Sequence, residues 1–421
     1  MCFKNGQGVS MSRIIRRGLS VTVTAIAVVG LVAVTAPAWA AGSWSTPIQL
    51  SAPIPPTDVV GGPAIAVNTS GGQVAAWYDQ AADGTQFVHV RTGTNGQAWS
   101  AVTTLGGGVS PAVTLAPDGR AVAVWEGLPP ITGTIRASVR PPGGSWSAAV
   151  TLSSDAGQPL VGVDGQGNAI AVWAGSAGIE TASLPAGGTW TAVKNLADGG
   201  RSPDLAVNAS GAVIITWAGT GGTIVTDSGT VLGGFAAPVT IAPAAYRQGN
   251  PAVALNNVGQ ASLVWRGRTT VLAATRSAGG AWSTISQLIA NASGSVDTAI
   301  DSSGNAVAAF VQYNSATGTF PVYASRHPAG GVWGTATLLS TLNDYAPAPQ
   351  AAADPAGSIV VAWTDDNSLT LKARTAAPGA TFGAVTAVGA NYGAFDLAIA
   401  PGHAALMWTQ GGATVSSEPV T

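Results

Sequence analysis

The sequence predicts an all-β fold, an eight-bladed β-propeller of four-stranded antiparallel blades. Three observations predict it: one unit of about 47 residues recurs eight times, each unit has turn residues spaced for four short strands, and the chain opens on a fragment that its last unit lacks. The composition agrees. Of 421 residues, 56 are Gly and 26 Pro while only 9% are charged, a balance that fits many turns between packed strands and excludes a disordered chain.

The recurrence is clearest as a Gly six residues before an aromatic: Gly71/Trp77, Gly119/Trp125, Gly167/Trp173, Gly211/Trp217, Gly259/Trp265, Gly304/Phe310, Gly357/Trp363 and Gly402/Trp408. The aromatics follow one another at 48, 48, 44, 48, 45, 53 and 45 residues, so an unvarying offset inside units of varying length marks a local structural need.

Taken from the N-terminus, the first element is a leader. Arg13, Arg16 and Arg17 precede an apolar run from Leu19 to Val34, and Ala38-Trp39-Ala40 offers small residues three and one positions before a cut at Ala41. Residues 1–40 read as a cleaved secretory signal, which predicts a secreted, extracellular or cell-envelope protein; Met11 is an alternative start, and an uncleaved membrane anchor is the alternative reading of the run. Arg16-Arg17 resembles a twin-arginine signal, but Gly18-Leu19-Ser20 continues it poorly. The single cysteine, Cys2, lies in the leader, so residues 41–421, read as one domain, contain no disulfide, thiolate nucleophile or thiolate metal site. Without Lys4, Arg13, Arg16 and Arg17, 13 basic residues face 19 acidic ones, a net charge of −6 that excludes nucleic acid as a partner.

Within each unit the strands follow from turn chemistry. Three residues before the Gly stands Asx in six units, at Asn68, Asp164, Asn208, Asn256, Asp301 and Asp354. Asx opening a tight turn whose last residue needs positive φ is hairpin chemistry, so strands A and B flank it, as in Ala112 to Leu115 and Ala121 to Trp125. Strand C follows a short loop, as in Arg136 to Arg140. After a Gly- or Pro-rich turn a second recurrent aromatic (Trp44, Trp99, Trp146, Trp190, Phe235, Trp282, Trp333, Phe382) opens an alternating segment, strand D, as in Trp146 to Leu152.

The ends predict closure. The domain opens with a lone D segment, Trp44 to Leu50, and closes with A (Phe395 to Ile399), B (Ala404 to Trp408) and C (Ala413 to Ser416) but no D. The first strand is expected to complete the last blade, removing an open sheet edge. A seven-bladed ring with one aberrant unit and an open solenoid are the alternatives.

The strand-turn-strand segments Val161-Gly-Val-Asp-Gly-Gln-Gly-Asn-Ala-Ile-Ala-Val172 and Thr298-Ala-Ile-Asp-Ser-Ser-Gly-Asn-Ala-Val-Ala-Ala309 resemble NHL-type and related bacterial secreted propeller repeats. The likeness covers about 12 residues in each unit and implies the fold. Phe87-Val-His-Val-Arg91 followed by Trp99 is loosely similar to fucose-binding propeller lectins, although the Arg, Glu and Trp set of that family cannot be placed position by position with only Glu126, Glu180 and Glu418 present.

Enzymatic readings find little support. A sialidase-type hydrolase would bring an arginine cluster, a Tyr–Glu pair and a Ser-x-Asp-x-Gly-x-x-Trp turn, and here the Gly-to-aromatic spacing is six. Quinoprotein dehydrogenases also carry repeated Trp, but their Asx-to-Trp spacing is shorter. His89, His327 and His403 are too scattered for a zinc triad, so neither a cofactor nor a metal is expected. The C-strand arginines Arg91, Arg140, Arg276, Arg326 and Arg374 read as stacked on neighbouring aromatics rather than as an anion-binding ring. Asn68-Thr-Ser and Asn208-Ala-Ser match glycan acceptor motifs but are hairpin turns.

The informative residues are in loops. In a propeller the B–C and D–A connections share one face, around the mouth of the channel, and five of the six tyrosines fall on these segments. The expected ligand-binding residues are Tyr78, Asp79, Arg201, Tyr246, Arg247, Tyr313, Asp344, Tyr345 and Tyr392, a set that combines rigid apolar area with polar tips. The expected function is ligand binding without catalysis, the ligand being carbohydrate or an extracellular protein and the protein a monomer. The alternative is a glycoside hydrolase on the same scaffold.

Overall fold

The computed structural model describes residues 44–51, 59–81, 83–128, 133–155, 157–243, 249–344, 346, 348–390, 393–410 and 413–418. Residues 1–40, expected to be a signal, lie outside the described residues. The expected ring is present, with eight antiparallel sheets arranged as an eight-bladed β-propeller. Blade 1 contains A Val59–Val67, B Gly72–Gln80, C Gln86–Thr94 and D Thr103–Gly107; blade 2 contains A Val109–Leu115, B Ala121–Gly127, C Thr134–Arg140 and D Val150–Ser153. In blade 4 the D segment splits into Gly234–Phe235 and Val239–Ala242, both paired with C Ile224–Thr230.

The turns confirm the repeat reading. All eight turn glycines have φ between +74° and +96°, a region where a side chain would be strained. Each aromatic six residues on is at most 2% exposed and packs into the preceding blade. Trp173 lies against Val122 and Val124 of blade 2, Trp125 against Val74 and Ala76 of blade 1, and Trp408 against Val360 and Ala362 of blade 7. Each such wedge contributes roughly 2–3 kcal/mol of burial.

The turn Asx residues also link blades. Asn68 Oδ1 accepts the N–H groups of Ser70 and Gly72, while its Nδ2 donates across the junction to Ala116 O at 3.0 Å. Asn208 reaches Asn256 O, and Asn256 reaches Asp301 O, in the same way. An aspartate has no donor for this bond; in two of the three Asp units an Asn four residues on donates its side-chain amide to it, Asn168 to Asp164 and Asn305 to Asp301, and in the third the Ser358 N–H donates to Asp354.

A second set of junction bonds had no signature in the sequence. Asp204, Asp297 and Asp396, buried on A strands, accept backbone N–H groups from the next blade, those of Val253 (2.7 Å), Ala351 (2.8 Å) and Ile65 (2.8 Å). Gln350 does the same for Leu397 N and also donates to Phe395 O.

Closure occurs as expected but over a shorter strand. Ile48–Gln49, not Trp44 to Leu50, pairs antiparallel with Ser416 and Val415 as the fourth strand of blade 8, beside C Ala413–Ser417. Single bonds extend it, from Ser45 N to Glu418 O and from Leu50 N to Thr414 O. D strands are short throughout for the same reason. In blade 2 the aromatic and its neighbours run beside strand C on the backbone bond from Ser147 N to Val139 O; ladder pairing starts only at Val150, opposite Ala137, and is itself interrupted by a register shift between Thr151 and Ser153. The D–A connections are likewise not uniformly long: Gly108 alone joins blade 1 to blade 2, lying on Trp125, where a Cβ would meet the indole at 2.3 Å.

Removing the seam acceptor by Asp396→Ala should cost about 1–3 kcal/mol in chemical denaturation, because Ile65 N then has no partner in a dry junction. Asp227, on strand C of blade 4 and 2% exposed, gives a second expectation. Burial raises its carboxyl from 3.8 to about 6 despite the Ser228 N–H that it accepts. The folded state therefore holds this proton more tightly than the unfolded chain, and stability falls as pH rises through that interval. Asp227→Asn should stabilise the protein by about 2 kcal/mol at pH 7, with the advantage vanishing below about pH 4.

Candidate ligand-binding face

The described members of the expected set fall in three places around the ring: blade 1, blade 4 and the junction of blades 6 and 7. Tyr78 is not in a loop: it lies within strand B of blade 1, half-buried over Gly61 and Gly62, where a Cβ on Gly61 would sit 2.5 Å from its hydroxyl oxygen. Asp79 beside it contacts His89 Nε2 at 2.9 Å; that imidazole stacks on Trp77 and meets Thr104 Oγ1 through Nδ1. Arg201 stands exposed at the first position of strand A of blade 4, Arg201–Val207. Tyr246, Arg247, Tyr345 and Tyr392 lie outside the described residues.

Tyr313 and Asp344 do come together, at the junction of blades 6 and 7. The B–C connection of blade 6 runs from B Ala306–Gln312 to C Val322–His327, and the D–A connection from D Thr337–Leu338 to A Gln350–Ala353 of blade 7. Tyr313 and Phe320 rings are 5.4 Å apart, Phe320 N donates to Asp344 O, and Thr319 Oγ1 donates to Leu342 O at 2.6 Å. From blade 7, between B Ile359–Asp365 and C Thr370–Ala376, Asn367 Nδ2 donates to Asn343 O at 2.8 Å. Three connections are thereby interlocked. They expose Tyr313 (45%), Leu342 (50%) and Leu369 (46%) to solvent.

Beneath these side chains the junction is charged. Asp344, 3% exposed, is not a surface contact but a supporting group: its Oδ2 accepts from Trp363 Nε1 at 3.2 Å and Lys372 Nζ at 3.1 Å, and Thr341 Oγ1 donates to its Oδ1. Lys372 also donates to Asp365 at 2.9 Å. Burial opposes the ammonium charge, but hydrogen bonds and attraction from Asp365 and Asp344 outweigh it and hold the Lys372 pKa above its ordinary value. One lysine thus ties the D–A connection of blade 6 to strands B and C of blade 7. Sequence reasoning missed Lys372, whose only signal was its place opposite Trp363 on the neighbouring strand.

The stacking expected of the five C-strand arginines holds for two, Arg276 on Trp282 at 5.3 Å and Arg326 on Phe382 at 4.5 Å, while Arg91 donates to Leu50 O instead. A hydrolase would need a pair of catalytic carboxyls. Glu180 and Asp155 meet against Gly175, but Glu180 accepts the Trp173 indole N–H at 2.6 Å and Asp155 accepts the Ser176 N–H. Burial raises the carboxyl of Glu126 above its ordinary range. Among the described residues no group of three or more His, Cys, Asp or Glu is placed to hold a metal.

No family model matches the chain, and no curated protein sequence matches it. Solved structures do. Virginiamycin B lyase from Staphylococcus aureus is 11% identical at a TM-score of 0.49, over 73% of this chain and 94% of that one. The fucose-specific lectin from Aleuria aurantia is 12% identical at 0.41, over 82% and 100%, and the NanB sialidase from Streptococcus pneumoniae 11% identical at 0.43, over 76% and 68%. At such identities the similarity is one of fold.

Replacing the tie by Lys372→Met should cost about 3–5 kcal/mol at pH 7, since two buried carboxylates lose their counter-charge. The loss should shrink as pH falls into the carboxylate range, where protonation relieves them; denaturation at two pH values checks both points.

Proposed function

We propose that this chain is an exported, non-catalytic propeller that binds a macromolecular ligand through its B–C and D–A loop face, centred on the junction of blades 6 and 7. The observation that carries this reading is the exposed group Tyr313, Leu342 and Leu369, held by three interlocked connections over the buried Asp344–Lys372–Asp365 tie. Rigid support lowers the entropy lost on binding, and a tyrosine between exposed aliphatic side chains suits a partner with apolar surface of its own. Of the two ligand classes expected, an extracellular protein fits this face better than a carbohydrate. The acids of the junction are occupied by Lys372 and Trp363, which supports binding rather than turnover.

The double variant Tyr313→Ser, Leu342→Ser should keep the wild-type melting temperature and lose at least about tenfold in affinity for a partner captured by the wild-type protein from extracellular fractions. Unchanged capture would reject the assignment of this face. Purified protein should leave a fluorogenic glycoside panel intact; hydrolysis that survives repurification would instead support the glycosidase alternative.

A further inference from the structure

The opposite face, formed by A–B turns and C–D connections, has a groove of about 470 Å³ between blades 1 and 2, a volume in the range of ligand clefts. One wall carries Thr92 and Thr94, the last turn of strand C in blade 1; the other carries Pro117 and Asp118 of the blade 2 turn and Arg140 at the end of its strand C.

The repeat shows what is unusual about Arg140. It pairs with Ala121, two residues after the turn glycine, and Arg276 pairs with Ala261 at the same position of blade 5. Arg276 is engaged by the protein: its Nη1 donates to Ser228 Oγ of blade 4 at 2.8 Å and its guanidinium stacks on Trp282. Thr92 occupies in blade 1 the position of Ser228 in blade 4, opposite the third residue after the turn glycine. Yet Arg140 makes no hydrogen bond or ion pair with any described residue and lines the groove instead. On the facing wall Asp118 uses Oδ1 for Arg120 N.

The geometry points to a binding site for an acidic saccharide, a uronate-type oligosaccharide whose carboxylate pairs with Arg140 and whose hydroxyl groups meet Thr92, Thr94 and Asp118. A guanidinium without a partner among the described residues supplies the charge-assisted bond, and hydroxyls with a carboxylate opposite supply the donors and acceptors that a sugar requires. The site is independent of the loop face and stands or falls separately from it.

Saturation-transfer NMR and calorimetry on the whole protein test it, with tetragalacturonate as probe, maltotetraose as neutral reference and tetraglutamate as acidic peptide. Tetragalacturonate should bind about tenfold more tightly than either reference, and Arg140→Gln should remove that margin. Thr94→Trp, which fills the groove and keeps the charge, should abolish binding, whereas Tyr313→Ser on the other face should leave it unchanged; melting curves verify that each variant is folded. No saturable binding at millimolar probe, equal binding by folded Arg140→Gln, or equal affinity for maltotetraose or tetraglutamate would overturn the proposal.

Discussion

A ring of sheets leaves the inner edge of every blade without a neighbouring strand, and the rest of this structure depends on how those edges are satisfied. The A strands stand side by side around the axis but do not pair, so the buried N–H groups along them need other acceptors. At four junctions a side chain of the preceding blade supplies one: Asp204, Asp297, Gln350 and Asp396. These bonds set the axial register of one blade against the next. Once it is set, the B-strand aromatics meet the correct apolar neighbours, and the turn asparagines reach the carbonyl of the following turn.

Much of the fold was legible because its periodic demands are local. A turn that needs positive φ at its last residue, followed after six positions by a large buried ring, leaves the same mark in every unit. The junction aspartates leave none, because their role depends on a neighbour some 50 positions away; Asp204 and Val253, for instance, are separated by 49 residues. Strand D was read too long because alternation begins at the aromatic, while ladder pairing starts several residues further on, at Val150 in the unit that opens with Trp146. The site was less legible. Tyr78 was grouped with loop tyrosines, but its ring takes the space left by Gly61 and Gly62, and a glycine pair inside a strand does not reveal which side chain fills it. Asp344 carried the right location and the wrong role, since only three dimensions show that Lys372 and Trp363 converge on it.

The two faces of the ring differ in how much each connection can vary. The A–B turn is constrained by its glycine in all eight blades and by an Asx cap in six, so its sequence varies little and variation falls on flanking residues such as Arg140. The B–C and D–A connections have no such constraint except where a crossing lies on a tryptophan, as Gly108 does on Trp125. At blades 6 and 7 that freedom has been used to build a supported, partly apolar surface, with a buried ion network in addition to the apolar packing that this junction shares with the others.

The closing strand has a kinetic consequence. Ile48–Gln49 pairs with residues more than 360 positions away, whereas every other strand pairs within its own blade. Seven sheets can form from contacts that are short-range in sequence, each condensing on the one before it, but the eighth must wait until both ends of the domain meet. Its loop-closure entropy is modest, since that cost grows only logarithmically with chain length, and the preassembled arc already holds the two ends near each other. Closure is therefore the last step and the most cooperative one: an arc with one edge open becomes a ring in which no blade can detach without disturbing two neighbours.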